Sequence, residues 1–94
     1  MLALIYDLAE DYLERRGPLR AEHLGLAEAA RLRGDLLLAG AFSDPFDHAL
    51  LVWATDDQAV VEDFVEADPY VRDGLVTGWT VRHWNVVVGA PPQG

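Results

Sequence analysis

The chain has no cysteine and no lysine, and among its 94 residues it has no apolar run long enough to cross a bilayer as a helix. Without cysteine there is no disulfide scaffold and no thiolate nucleophile. Without lysine, all seven basic residues are arginines, set against sixteen acids, for a net charge of -9. A polyanion is repelled by such a surface, so DNA, RNA and anionic membranes are excluded as partners. The start, MLALIYDLAEDYLE, lacks a basic n-region and reaches Asp7 quickly, which predicts a cytoplasmic protein with no export signal. The longest apolar pieces, such as Leu36 to Ala41, are strand-sized. Dinucleotide and P-loop glycine patterns are absent, so no cofactor is expected. His23, His48 and His83 follow no metal-ligand spacing, and no metal is expected either.

What is present is core-forming. Hydrophobic residues make up 51% of the chain and include three tryptophans, a composition that favours a packed domain over disorder. The length fits one small domain. Its predicted extent is residues 1–88, with 89–94 (GAPPQG is the closing stretch) as a loose tail.

Period-two and period-3.6 segments alternate along this domain. Leu2 to Tyr6 reads as a strand, and Asp7 to Arg16 as helix or loop. Gly17-Pro18 interrupts, and Pro18 to Arg33 is the strongest helix, rich in Ala, Leu, Glu and Arg. Gly34-Asp35 ends it. Leu36 to Gly40 and Ala49 to Ala54 read as strands joined by the loop Ala41 to Asp47. Thr55 or Asp56 caps a second helix, which Asp68-Pro69 closes. Leu75 to Val88 reads as a long extended segment with a break near Gly78. The order is β-α-β-β-α-β, an α+β, ferredoxin-like arrangement with helices over one face of an antiparallel sheet. The other face has no layer to cover it, so a homodimer joined through the sheets is expected, with two-fold symmetry.

Chemistry concentrates between Arg20 and Asp44. His23 lies inside the first long helix, on the face shared with Leu19, Leu26, Ala27 and Ala30. A histidine there is either held by a structural hydrogen bond or acts as an acid–base group near neutral pH. Asp44 follows a buried strand and either orients the imidazole or makes a local turn. Arg20, three residues before His23, reaches the same helix rim and suits a substrate carboxylate. Tyr6, at the end of the first strand, offers a ring for a flat ligand. His48 is placed at the pocket rim beside the loop acids. Asp68-Pro69-Tyr70 reads as a device that fixes a helix end.

RAEHL at 20–24, the LLLAGAFSDP stretch ending at Pro45, DPYVRDGLV at 68–76 and the final WTVRHWNVV together resemble the YCII-related (YciI-like) family. The resemblance implies a ferredoxin-like fold assembled as a dimeric α/β barrel, similar in fold to muconolactone isomerase. It implies that His23 and Asp44 match a catalytic pair, and that Arg20 and the Asp68-Pro69-Tyr70 signature match family positions. His48 departs from the pattern, where glycine is common, and His83 stands where some relatives have proline. Some relatives of that family are dehydrochlorinases on aromatic ring-cleavage pathways. The function implied is a small cofactor-independent enzyme using a His–Asp pair for proton transfer, with isomerisation or elimination on a small organic acid or oxidised aromatic product. The alternative is a non-catalytic small-molecule-binding or interaction domain.

Overall fold

A computed structural model describes residues 1–89. The strands are β1 (Leu2–Leu8), β2 (Leu36–Ala41), β3 (His48–Trp53) and β4 (Val76–His83). The helices are α1 (Tyr12–Arg15), α2 (Gly17–Leu32), α3 (Gln58–Ala67) and α4 (Pro69–Arg72). The four strands form one antiparallel sheet in the order β2-β3-β1-β4. The two short helices α1 and α4 add to the predicted order without changing it. The predicted tail lies, for residues 90–94, outside the described residues.

Strand alternation sorts β1 between two faces. Leu2, Leu4 and Tyr6 are buried on the helix side. They pack with Leu51 and Trp53 of β3, and with Val61, Phe64 and Val65 of α3, in one core. Ala3 and Ile5 point the other way, where they line a shallow depression with Leu50, Arg82 and Trp84. Among the described residues, no helix covers that side.

Local chemistry explains the element ends. Gly34, at φ 87°, takes the left-handed position after α2. Its N–H meets the Arg31 carbonyl at 2.9 Å, and the Asp35 N–H reaches the Ala30 carbonyl at 3.1 Å, a Schellman ending. The second long helix is capped one residue after Asp56 and two after Thr55, the two caps expected from the sequence. Asp57 is the N-cap, accepting from the Ala59 N–H at 3.0 Å, while the Thr55 hydroxyl accepts from Asp57 N–H.

The last strand stops at His83 instead of running to Val88. Its partner, β1, begins at Leu2, and the final bond runs from the Trp84 N–H to the Met1 carbonyl at 2.9 Å. Beyond that point the strand has no neighbour among the described residues, whatever its propensity. At the opposite end β1 outruns its predicted limit, because Leu8 pairs with Val76 past an irregularity at Asp7.

Candidate active site

The site forms where α2 crosses the junction of α3 and α4. Asp68 is the joint between those helices: it is the C-cap of α3 and the N-cap of α4, with an extended backbone at φ -74° and ψ 119°. Pro69 supports this conformation and starts α4 at a position that needs no N–H. The cap geometry turns the Asp68 side chain inward, and the residue is fully buried.

Three donors converge on that carboxylate. Oδ1 accepts from the Tyr70 N–H at 3.0 Å and lies 2.8 Å from Nδ1 of His23. Oδ2 accepts from the Tyr6 hydroxyl at 2.8 Å. A buried charge needs such satisfaction, since an unpaired carboxylate in the interior is costly. Burial pushes the Tyr6 hydroxyl far above its ordinary pKa, and the Asp68 charge and hydrogen bond push it further. Tyr6 is therefore held as a phenol and donates permanently.

An ionised carboxylate only accepts, so the network assigns the His23 proton to Nδ1 and leaves the lone pair of the neutral ring on Nε2. The His23 side chain is 15% exposed, against 0% for Asp68. The ring lies flat on Tyr70, with centroids 3.9 Å apart and planes inclined by 7°. Phe64 presents an edge from 6.5 Å. The imidazole is thus clamped on one nitrogen and one face, with its orientation fixed.

His23 lines a cavity of about 570 Å³ between α2 and the sheet. The floor is apolar, made of residues such as Leu36, Ala49 and Leu51, and the lining includes Arg16 and Arg20. Arg16 rests over Tyr12 and Phe46, its guanidinium carbon 5.5 and 5.8 Å from the two ring centres. Chemically this is an oriented imidazole on the wall of a mostly apolar chamber that two guanidinium groups also line. Among the described residues, no cluster of three or more His, Cys, Asp or Glu side chains suits a metal ion.

The structure brings together His23, Arg20 and Tyr6 of the predicted set, and separates Asp44 and His48 from them. Asp44 is exposed in the β2–β3 loop, at φ 56°, and is absent from the cavity lining. The predicted pairing is thus corrected: the carboxylate on His23 is Asp68. The loop spends Asp44 on a left-handed turn that short polar residues tolerate, while the α3–α4 junction drives Asp68 under α2.

His48 is corrected as well. It stands opposite Asp7 in the sheet register, at the exposed strand end. Its Nε2 lies 3.3 Å from Asp7 and its Nδ1 3.2 Å from Asp47, outside the cavity. Tyr6 does line the cavity, but its hydroxyl is turned onto Asp68, so it orients the acid instead of offering a free stacking face. Arg20 lines the cavity within reach of the Tyr70 hydroxyl and makes no ion pair with a described residue. Asp68 and Tyr70 are the residues whose part in the pocket sequence reasoning missed. The available signal was an acid at a forced cap between two apolar segments, where its carboxylate has to face inward.

Comparison with known proteins agrees with this architecture. The YCII-related domain family profile matches residues 1–85. Among solved structures, 5-chloro-2-hydroxyhydroquinone dehydrochlorinase from Burkholderia phenoliruptrix AC1100, in complex with 2,5-dihydroxybenzoquinone, superposes with a TM-score of 0.72. The two are 24% identical over 90% of this chain and 94% of that one. An antibiotic biosynthesis monooxygenase superposes with a TM-score of 0.53, at 20% identity, over 94% of this chain and 100% of that one. Both likenesses concern the fold. No curated protein matches the chain.

Proposed function

This chain belongs to the YCII-related domain family, and from that premise we propose that it is a small acid–base enzyme in which His23 moves a proton on a bound ring acid. The observation that carries the reading is the Tyr6–Asp68–His23 chain of hydrogen bonds ending at the cavity. Nε2 of His23 takes a proton from carbon or hydroxyl of the substrate. Asp68 steadies the imidazolium that forms, and Tyr6 holds the second oxygen of Asp68 in place. Arg20 anchors an anionic oxygen of the substrate. In an isomerisation, His23 returns the proton to a different atom. In an elimination, the electron pair of the broken bond to hydrogen forms a new double bond as a halide leaves with its own pair, and His23 later releases the proton to water. The fold shared with a dehydrochlorinase supports the elimination branch.

The same reading makes the protein a cytoplasmic homodimer. Ala3, Ile5, Leu50 and Trp84 on the uncovered sheet face favour burial against a second copy. A dimer mass by light scattering at micromolar concentration is the expected result, and a stable monomer overturns this part.

Turnover is tested with lactones and halogenated hydroxyquinols and aromatic acids. His23→Gln should lower kcat at least 100-fold, at the lower end of general acid–base contributions, while the thermal midpoint is kept. Full activity in that variant removes His23 from the chemistry. Binding without turnover by the wild-type protein across the screen favours the second reading, a ligand-binding domain built on the same cavity.

A further inference from the structure

The two long helices are buried very unequally. Of the sixteen residues of α2 only Ala30 is buried, whereas α3 buries Val61, Phe64 and Val65 among its ten. Leu19, Leu26 and Ala27 touch the core only in part. Helix α2 therefore stands off the sheet, and the gap it leaves is the cavity. The walls account for the gap. Ala27 on the helix and Ala39 and Ala41 on β2 line it, and side chains this short do not close the distance.

The gap is long in one direction. The turn at Gly34 folds β2 back along α2, and the lining runs along both elements, from Arg16 to Arg31 and from Leu36 to Ala41. His23, Arg20 and Arg16 belong to the N-terminal half of the helix. From His23 to Arg31 the helix rises roughly 12 Å. Along that length the lining is apolar, with Leu24 and Ala27 on one side and Leu36, Leu37 and Ala39 on the other. The charged groups that close it, Glu28 and Arg31, neutralise each other, Arg31 Nε donating to Glu28 at 2.8 Å.

A single ring leaves most of this space empty. An apolar cavity of about 150 Å³ already holds benzene, whereas this one measures about 570 Å³. Pockets of about 300–1,000 Å³ are those that take drug-sized ligands. Left to water, the slot keeps wet the apolar surface that a helix normally buries. The second copy proposed above takes the opposite face of the sheet and so leaves the slot to a ligand.

We propose that the slot between α2 and β2 holds an apolar arm of the substrate, which is then a ring acid bearing an alkyl chain at least as long as butyl. The inference rests on the pocket reading above, which puts the ring at His23, and it assigns what lies beyond the ring. Ala27 and Ala39 are the residues that set this specificity, because their short side chains leave the arm its space. A neutral chain end suits the closed Glu28–Arg31 pair, which has no charge to offer.

Calorimetry with benzoate, 4-butylbenzoate and 4-hexylbenzoate measures the contribution of the arm. Each buried methylene strengthens binding about threefold to fourfold. 4-Butylbenzoate should therefore bind at least tenfold more tightly than benzoate, and 4-hexylbenzoate more tightly still. Ala27→Leu keeps a good helix former and fills the slot. It should lower the ratio of 4-butylbenzoate to benzoate affinity at least fivefold, with the melting temperature held or raised. Where that variant melts lower, Ala39→Val, a strand-favouring change on the opposite wall, is read in the same way. Equal affinity along the series, no binding of any member at millimolar concentration, or a wild-type ratio in the slot-filled variant overturns the proposal. Turnover in His23→Gln separates this proposal from the catalytic one. Turnover lost in that variant, with no gain along the series, overturns the arm alone. Full turnover there, with a gain that Ala27→Leu removes, overturns the base alone.

Discussion

His23 and His48 each meet aspartate through ring nitrogens at closely similar distances, 2.8 Å in the first case and 3.2 to 3.3 Å in the second. Their surroundings make them different devices. His23 is 15% exposed beside an Asp68 that is not exposed at all, and only one nitrogen is committed. His48 is 46% exposed, its two nitrogens each face a carboxylate that is itself half-exposed, and water competes for every contact. In the interior the low dielectric makes each hydrogen bond directional and each loss expensive. At the surface the same pairs are screened and worth about 0–1 kcal/mol. The comparison teaches that the residue pair does not define a site; the removal of water around one of its members does.

The sharpest way to break the comparison is to remove the buried acid. Asp68→Ala leaves the Tyr6 hydroxyl, the Tyr70 N–H and His23 without their common acceptor, and uncaps α4. Breaking a buried charged network of this kind costs about 3–5 kcal/mol. Urea unfolding should show the loss as a shifted midpoint with an unchanged slope. A wild-type midpoint would put the interior pair on the same footing as the surface one.

Tyr6→Phe is the next test. It keeps the ring in the core and leaves one lone pair of a buried carboxylate unmatched, at a cost of about 1–3 kcal/mol. Fluorescence-monitored denaturation measures it. The same residue governs alkaline stability. Its hydroxyl cannot ionise in the folded state, whereas in the unfolded chain it ionises around its ordinary value of 10.0. Above that pH the unfolded state binds fewer protons than the folded one, so folding stability falls as pH rises, by about 1.4 kcal/mol per pH unit for this group. Below pH 10 its contribution is constant. Tyr6→Phe should flatten the alkaline decline by one proton's worth of slope, and an identical decline would exclude the group.

The smallest effects belong to the surface pair and to the loop acid. His48→Ala should shift stability by no more than about 0.5 kcal/mol. Nitrogen chemical shifts of the His23 ring sharpen the point. Asp44→Asn should leave the Nδ1–H tautomer in place, whereas Asp68→Asn, able to present an N–H to the ring, should redistribute it. A tautomer that responds to Asp44 and ignores Asp68 would reverse the assignment made from the geometry.

Local chemistry in the sequence determined the element order, the ending of α2 at Gly34 and the α+β class, because periodicity, capping and turn formation are settled within a few residues. It also placed His23 on the inner face of its helix, three residues after Arg20. It chose the wrong acid. Asp44 is 21 positions after His23, while Asp68 lies 45 away from His23 and 62 from Tyr6. Both acids stand in aspartate-proline pairs, 44–45 and 68–69, and the cap position of Asp68 hints at its burial without naming its partner. Only the docking of α2 across the α3–α4 junction, driven by burial of Val61, Phe64, Val65 and Tyr70, decides which carboxylate leaves water. The limit of β4 has the same origin, since it is the start of β1 that ends its ladder. A side chain's partner and a strand's last hydrogen bond belong to residues distant in the chain, and tertiary packing alone brings them within reach.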